Sequence, residues 1–458
     1  MRRRGLWFAV GSLLLTTLPA AASTPGAVIP AGEVLLHPSI HYAGRATSSP
    51  PTTAFCEANY HIACYEPGQI RTAYNLAPLA AKGIDGRGQT IIIVDSFGSP
   101  TIEHDLDVFD KTFHLPNPPS FAVIQPAGVV PPRLHGGWAG ETTLDVEYSH
   151  AMAPGANILL VETPTSEKEG TTGFPQIVTA EKYVIDHHLG GVISQSFSAT
   201  EQTFPTAQSL LALRGAYIDA AKKGVTVLAA SGDSGAADVG DDGSTYYLHP
   251  VTSWPDSDPL VTGVGGTQLQ LDAAGNHIAP DAVWNDTYNV KTNKYIFGNA
   301  GPNPLAGGGG KSIIFSRPAF QDGVASVVGV QRGVPDISMS AACNGAVDVY
   351  QSFGGQTGWF PTCGTSEATP LFAGIVALAD QVAGHPLGVI NPALYRLSGA
   401  AAPGIVDITS GNNTVSFTQG GVLHTVKGFS ATPGYDLASG VGTVDAALFV
   451  PELAAASG

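Results

Sequence analysis

The stretch that decides the fold is Thr90-Ile-Ile-Ile-Val-Asp95, a run of apolar and β-branched residues that is typical of a buried strand. Similar runs follow at residues 157–161, 191–196 and 225–230. Helical patterns lie before and between them, at residues 67–79, 102–113, 140–151 and 210–223. Apolar strands that alternate with helices are typical of a parallel sheet covered on both faces. The sequence therefore predicts an α/β fold, a three-layer sandwich around a mainly parallel central sheet.

The composition favours a compact chain and excludes some partners. The chain has 458 residues, of which 43% are hydrophobic and 13% charged, with 56 glycines and 34 prolines. This mixture suits a loop-rich exported enzyme better than a disordered chain. The formal net charge is −16, and no basic run follows the N-terminus, so we expect no nucleic-acid partner.

The N-terminus has the pattern of a secretory signal. Three arginines at residues 2–4 precede a short apolar stretch at residues 6–18, and alanines at residues 20–22 supply small residues for cleavage. We therefore expect a secreted protein with no membrane association once residues 1–22 are removed. Residues 23–64 are rich in Pro, Ser, Ala and Gly and are predicted to be a linker or N-terminal arm. Residues 65–458 are predicted to form a single domain.

The four cysteines allow disulfides if the chain is exported. Three pairings exist, and Cys56–Cys64 with Cys343–Cys363 is the most economical, because each bond closes a short loop. The second bond would brace the turn before residue 366. Four reduced, buried thiols are the alternative.

A candidate nucleophile lies in Cys363-Gly-Thr-Ser-Glu-Ala-Thr-Pro370, which leads into an apolar helical pattern at residues 371–382. This order places Ser366 at a helix N-terminus, where free N–H groups and the helix dipole favour negative charge. An attacked carbonyl would become an oxyanion beside those donors. The alternative is that Thr365 or Ser366 only caps the helix.

Three carboxyl groups are candidates to act with this serine. Glu141 and Asp145 are four residues apart on a predicted helix, so they lie side by side and tend to share a proton. Asp233 follows a buried strand, at an edge of the sheet where catalytic groups gather. A protonated Asp can donate a hydrogen bond to an oxyanion. The alternatives are a solvated acidic helix face and a turn-forming Asp.

Together these segments resemble the sedolisin family of serine-carboxyl peptidases, and the resemblance covers about residues 65–450. The motifs that carry it are Glu141-x-x-x-Asp145 followed by Ala-Pro-Gly-Ala, Ser-Gly-Asp233-Ser-Gly, and Gly-Thr-Ser366-x-x-x-Pro. The resemblance implies a subtilisin-like fold in which Ser366 is the nucleophile and Glu141 the general base. It also implies that Asp145 is the partner of Glu141, and Asp233 the oxyanion acid. The implied activity is that of a monomeric, secreted, acid-acting endopeptidase on proteins or peptides.

The resemblance further implies one structural Ca²⁺ ion near the C-terminus. Carboxylates and backbone carbonyls are the oxygen ligands that calcium prefers. The family usually has Gly at the position of Thr432, which changes the backbone but not the carbonyl. The implied ligands are the carboxylates of Asp407 and Asp436 and the carbonyls of Ile408, Thr432 and Gly434.

One departure from the family lies upstream. Family precursors commonly carry a long folded pro-domain, and only about forty residues separate the predicted cleavage site from the catalytic segment. We expect no full pro-domain there, so the mode of activation stays open.

Two other functions remain open. The first is a subtilisin-type protease that uses Asp95, His104 or His135, and Ser366; it lacks the His-Gly-Thr-His context of that class and has Asp233 where that class has Asn. The second is a non-catalytic secreted binding protein on the same scaffold. Side-chain preference, and endopeptidase against tripeptidyl-peptidase action, are not determined by the sequence.

Overall fold

The computed structural model describes residues 40–132, 134, 138–287 and 303–457. The predicted signal at residues 1–22 and His135 lie outside the described residues. The helices of the described part are α1 Thr53–Asn59, α2 Pro67–Ala73, α3 Ala77–Ala80, α4 Ile102–Phe113, α5 Ala139–Met152, α6 Phe174–Asp186, α7 Ala207–Leu211, α8 Gly215–Lys223, α9 Ala325–Val328, α10 Thr365–Ala383, α11 Asn391–Gly399 and α12 Ala446–Ala456.

The strands of the same residues range from two to seven residues in length. They are β1 His41–Tyr42, β2 Cys64–Tyr65, β3 Thr90–Ser96, β4 Phe121–Ile124, β5 Asn157–Thr163, β6 Val192–Gln195, β7 Ala199–Thr200, β8 Thr226–Ala230, β9 Ser253–Trp254, β10 Thr262–Gln268, β11 Ala282–Val283, β12 Gly310–Ser316, β13 Gln331–Val334, β14 Ile337–Ser340, β15 Ala346–Gln351, β16 Gly358–Cys363, β17 Ile405–Val406, β18 Val415–Gln419, β19 Val422–Val426 and β20 Thr443–Val444.

The central sheet has eight strands and is mainly parallel, as predicted. Its strand order is β11-β10-β8-β6-β3-β5-β4, and β14 also pairs with β10. The pairings along β8, β6, β3, β5 and β4 are parallel, whereas β11 joins β10 antiparallel. The carboxyl ends of the parallel strands therefore meet at one edge of the sheet, where side chains from separate strands can converge.

Helices cover both faces of this sheet. Ile91 and Ile93 of β3 belong to the core that contains α10, and the alternation of a strand turns Ile92 and Val94 to the opposite face. Helix α5 packs against α10 and both contact β3, while α6 and α8 pack together and α6 contacts β3 and β5. All four isoleucine and valine side chains are fully buried, so the predicted three-layer α/β arrangement is confirmed.

Two predicted helices are wrong in extent, because each is interrupted. The pattern at residues 67–79 divides into α2 and α3: Asn75 adopts a left-handed backbone, with φ +55°, and Pro78 lies in the first turn of α3. The pattern at residues 210–223 divides into α7 and α8. Thr206 caps α7 upstream of the predicted start, and a turn from the Leu213 N–H to the Leu210 carbonyl separates the two helices.

The segment predicted as an N-terminal arm packs on the domain from residue 40 onward. Strand β1 pairs antiparallel with β16, which places His41 opposite Cys363, and β2 pairs parallel with β15. Disulfides join Cys56 to Cys64 and Cys343 to Cys363, which confirms the favoured pairing. In the part of the chain that is described, no helix is both long and apolar enough to cross a membrane.

Candidate active site

Ser366 lies in the first turn of α10 and is 2% exposed. Gly364 precedes the helix with φ +135°, a backbone conformation that side chains rarely permit, so the chain turns sharply from β16 into α10. Pro370 lacks the N–H that would bond to the Ser366 carbonyl in a regular helix. The Ser196 hydroxyl donates to that carbonyl instead, at 3.5 Å.

Asp233 is held at the start of the same helix. It follows β8 and is 6% exposed. Its Oδ1 accepts hydrogen bonds from the Thr365 N–H at 2.8 Å and from the Thr365 hydroxyl at 2.7 Å. The Thr365 oxygen in turn accepts the Gly232 N–H at 3.2 Å. Since Oδ1 makes both bonds, Oδ2 is the oxygen that faces the cavity containing Ser366, and it has no hydrogen-bond partner among the described residues.

Glu141 and Asp145 project from α5, which is buried along its whole length. The Ser196 hydroxyl donates to Asp145 Oδ1 at 3.0 Å, so Ser196 links this carboxylate to the first turn of α10. The Ser366 hydroxyl faces the Glu141 carboxyl group as a hydrogen-bond donor. Apart from this contact with Ser366, neither oxygen of Glu141 has a hydrogen-bond partner within the described residues.

Burial raises the pKa of Glu141 well above its ordinary value, and the Ser366 hydrogen bond opposes that rise. Burial also raises the pKa of Asp145, and the nearby Asp95 and Glu141 raise it further. Because the three carboxyl groups are close and desolvated, they hold protons into a pH range where isolated carboxyl groups are ionised.

Asp95 lies at the end of β3 and joins this carboxyl cluster. Burial raises its pKa to about 7, opposed by a hydrogen bond from Thr142 and a contact with Asp145. The sequence suggested Asp95 only as part of a Ser/His/Asp triad. The structure instead places it close to both Asp145 and Glu141.

One histidine reaches the candidate site among the described residues. His41 of β1 lines the same cavity as Ser366, and its Nε2 is 3.3 Å from Asp233 Oδ2. The adjoining residues Ile40 and Tyr42 pack over Gly140, the residue before Glu141, so closely that a Cβ there would collide with the Tyr42 hydroxyl. The arm therefore covers the entrance to the carboxyl cluster.

His104, the candidate of the subtilisin-type alternative within the described residues, lies elsewhere. It is exposed on α4, where its ring packs edge-on against Tyr350. Ser366, in contrast, is buried and faces Glu141. The carboxyl groups, and not His104, are the bases that the structure places beside the serine.

A cavity of about 200 Å³ opens beside Ser366. Its walls include Asp233, Thr365 and Ser196 on the side of the candidate catalytic groups. The lining also includes the carboxyl groups of Glu167, Glu169 and Asp238 and the side chains of Tyr246 and Pro304.

The residues suggested for calcium lie in two loops, one after β17 and one before β20, which meet where Gly434 contacts Asp407. Gly434 donates its N–H to Asp407 Oδ2 and Thr432 donates to Asp436 Oδ2, each at 2.9 Å. Asp436 Oδ1 also accepts the N–H groups of Ala438 and Ser439. The set offers oxygen donors only, which fits calcium. Among the described residues, no group of three or more His, Cys, Asp or Glu side chains could hold a metal ion.

Comparisons with known proteins agree with this geometry. A sequence model of the subtilase family matches residues 136–396. Kumamolisin from Bacillus sp. strain MN-32 is 32% identical over 388 residues, which are 83% of this chain and 62% of kumamolisin. Sedolisin from Pseudomonas sp. strain 101 is 31% identical over 318 residues, 67% of this chain and 48% of sedolisin.

A solved structure of Pseudomonas sedolisin, described as a serine-carboxyl proteinase complexed with two molecules of pseudo-iodotyrostatin, is also similar. Its TM-score is 0.69 at 25% identity, and the match covers 85% of this chain and 97% of that chain. The chain belongs to the subtilase family, in its sedolisin branch, and the predicted subtilisin-like fold is confirmed. The chain spans less than two thirds of the length of the curated relatives named above.

The structure brings together all four sequence-predicted catalytic residues and adds three that the sequence did not single out. These are Ser196, Thr365 and His41. Ser196 ends a predicted strand at the same sheet edge as Asp233, and Thr365 precedes Ser366, so position alone could have suggested both. No local sequence pattern indicates the role of His41, because its position depends on the pairing of β1 with β16, two segments more than 300 residues apart.

Proposed function

We propose that the chain is a secreted serine-carboxyl peptidase that hydrolyses peptide bonds of proteins or peptides in acid solution. The observation that carries this proposal is the convergence of Ser366, Glu141, Asp145 and Asp233 at one edge of the sheet. The sedolisin-branch relatives, whose names include tripeptidyl-peptidases, support a peptidase but leave open where in a substrate the chain cuts.

In the first step Glu141 accepts the proton of Ser366 as its Oγ attacks the substrate carbonyl carbon. The C=O double bond becomes a C–O⁻ single bond in a tetrahedral intermediate. Glu141 then donates the proton to the leaving amine, the C–N bond breaks, and an acyl-enzyme remains. A water molecule repeats the sequence in deacylation, with Glu141 again taking and returning the proton.

Asp233 stabilises the oxyanion in this mechanism. Its Oδ1 is occupied by two hydrogen bonds from Thr365, so a proton on the carboxyl group belongs on Oδ2. That O–H donates to the oxyanion, together with the Ser366 N–H at the helix N-terminus. The proposed oxyanion donor is therefore the carboxylic O–H of Asp233.

Asp145 holds Glu141 and tunes its proton affinity. The Ser196 hydroxyl donates to one oxygen of Asp145, and the charges of Asp145 and Glu141 repel each other, so the two carboxyl groups tend to share a proton. Because the coupled carboxyl groups share protons, Glu141 can be ionised while a neighbouring carboxyl group keeps its proton, and it is the ionised Glu141 that accepts the proton of Ser366.

One calcium ion would be held by the carboxylates of Asp407 and Asp436 and the carbonyls of Ile408, Thr432 and Gly434. Bound there, it would supply a structural cross-link between the loop after β17 and the loop before β20, with no part in the chemistry. Thermal unfolding with calcium and with a chelator tests this, because only a calcium-binding protein loses stability in the chelator.

The decisive experiment is digestion of a mixed peptide library between pH 3 and pH 8, with Ser366→Ala as the blank. We expect cleavage in acid that Ser366→Ala abolishes. Equal product from wild type and Ser366→Ala at every pH would show that the chain is a binding protein on this scaffold.

A further inference from the structure

Three carboxyl groups, those of Glu167, Glu169 and Asp238, line the cavity beside Ser366, and they are called the acidic wall below. Glu169 Oε2 accepts the Thr200 N–H at 3.0 Å and the Thr203 hydroxyl at 2.9 Å, so both bonds use one oxygen. Asp238 accepts the Val239 N–H at 2.8 Å and the Ser253 hydroxyl at 2.6 Å. These hydrogen bonds fix both carboxyl groups in place, so they are part of a built site and not of a mobile surface.

Glu167 adds a third carboxyl group to the same wall. It is 6% exposed, and its Oε2 is buried with no hydrogen-bond partner among the described residues. A buried polar oxygen without a partner costs free energy unless a ligand supplies the missing bond. Since Glu167 lines the cavity, a group that enters the cavity can supply it.

The ionisable residues that line the cavity are mostly acidic. Among its described lining residues only His41 can carry a positive charge, and His41 lies against Asp233 and not on the acidic wall. The other titratable groups that line the cavity are Asp233, His41 and Tyr246. Asp241 and Asp95 lie near enough to affect the pKa values of Glu169 and Glu167.

Burial and mutual repulsion raise the pKa of Glu169 to about 9, and burial with the charge of Asp233 raises the pKa of Asp238. These carboxyl groups therefore hold their protons more tightly than isolated ones. A cation that enters the cavity would displace those protons, because an opposite charge favours the ionised form of a carboxyl group.

We infer that this cavity binds a basic side chain, arginine or lysine, of the substrate residue whose carbonyl Ser366 attacks. This inference rests on the proposed function and names the substrate class of the same site. With the carbonyl oxygen at Asp233, the adjoining side chain enters the cavity between Ser366 and the acidic wall. A guanidinium or ammonium group can bond to more than one of the carboxylates there, and charge-assisted hydrogen bonds are about twice as strong as neutral ones.

The test uses four peptides that differ only in the residue before the cleaved bond: arginine, lysine, glutamine or norleucine. Norleucine matches the lysine stem without its charge. We expect kcat/KM for arginine and lysine to exceed that for norleucine by about tenfold or more, the value of one charge-assisted hydrogen bond. Glu169→Gln and Asp238→Asn, which keep the shapes of the side chains, are each expected to reduce that ratio by lowering kcat/KM for the arginine and lysine peptides more than for the norleucine peptide.

Glu181→Gln is the matched control. Glu181 is also a buried carboxyl group, but it lies on α6 outside the cavity lining, so its replacement should leave the ratio as in the wild type. Equal rates for arginine, glutamine and norleucine in the wild type would overturn the inference and leave the proposed function standing. A basic preference that survives in both cavity variants would also overturn it. No cleavage of any peptide would overturn the proposed function as well.

Discussion

The imidazole of His41 lies against the carboxyl group of Asp233, with His41 Nε2 3.3 Å from Asp233 Oδ2. His41 reaches this place because β1 adds to the edge of β16, the strand that leads into Ser366, and the Ala43 N–H continues the pairing at 2.8 Å from the Pro361 carbonyl. The oxygen that would donate to an oxyanion is therefore covered by a residue of the same chain.

Replacing His41 should increase activity. His41→Ala leaves Asp233 Oδ2 free for the substrate, and we expect kcat/KM to rise by up to about fivefold, because one polar contact of this kind contributes about 1 kcal/mol. Peptide hydrolysis by purified wild type and variant measures this. His104→Ala, an exposed histidine away from the cavity, is the control and should have no effect. A fall in kcat/KM would mean that His41 supports Asp233 and does not compete with the substrate.

Glu141→Gln should abolish most activity and leave the fold intact. The amide is nearly isosteric but cannot accept the Ser366 proton, so we expect kcat to fall by about 10²–10⁴-fold. Glu147→Gln is the control on the same helix, because Glu147 is equally buried but receives the Tyr350 N–H. Circular dichroism of both variants checks the fold. Retained activity in Glu141→Gln would favour a histidine base.

Asp233→Asn and Asp233→Ala should differ in kcat. Alanine removes the oxyanion donor, and we expect about 10²–10³-fold loss in kcat. Asparagine can still accept from Thr365 and donate from its amide. We therefore expect Asp233→Asn to lose less activity than Asp233→Ala. The measurement is kcat of both variants and the wild type on one peptide; equal losses in the two variants would contradict the role given to Asp233.

The buried carboxyl groups predict a protein that is more stable in acid than at neutral pH. A carboxyl group whose pKa is raised by folding binds its proton more tightly in the folded state. Its contribution to the free energy of unfolding is therefore fully present below the unfolded pKa, which is 3.8 for Asp and 4.5 for Glu. That contribution is lost as the pH rises from there toward the folded pKa. The pKa is raised well above its ordinary value in Glu141, Asp145, Glu147, Glu167, Glu181, Asp256, Asp348 and Glu367.

Glu181→Gln isolates one such group, since burial alone raises its pKa. At pH 4 we expect the free energy of unfolding of the variant to match the wild type. Toward pH 7 the variant should become the more stable of the two, by up to about 1.4 kcal/mol for each pH unit gained. Urea unfolding at both pH values measures the difference, and a constant difference across pH would refute the account.

The sequence by itself determined the α/β class and the strand and helix order, and it favoured one disulfide pairing and four candidate catalytic residues. It could do so because β-branched runs, helix-start signals and short loops are local properties, and because Ser366, Glu141 and Asp233 each stand in a recognisable local motif. It misplaced helix ends where a single left-handed residue, Asn75, or a short turn after Leu210 interrupts the pattern.

Only the tertiary structure decided which groups meet at the site and in what electrostatic setting. Ser196 joins Asp145 to α10, Thr365 fixes one oxygen of Asp233, and His41 covers the other. Each contact joins segments that are 50 to more than 190 residues apart. Their distances, and the burial that raises the pKa values, follow from packing of the sheet and helices, which no local pattern in the chain encodes.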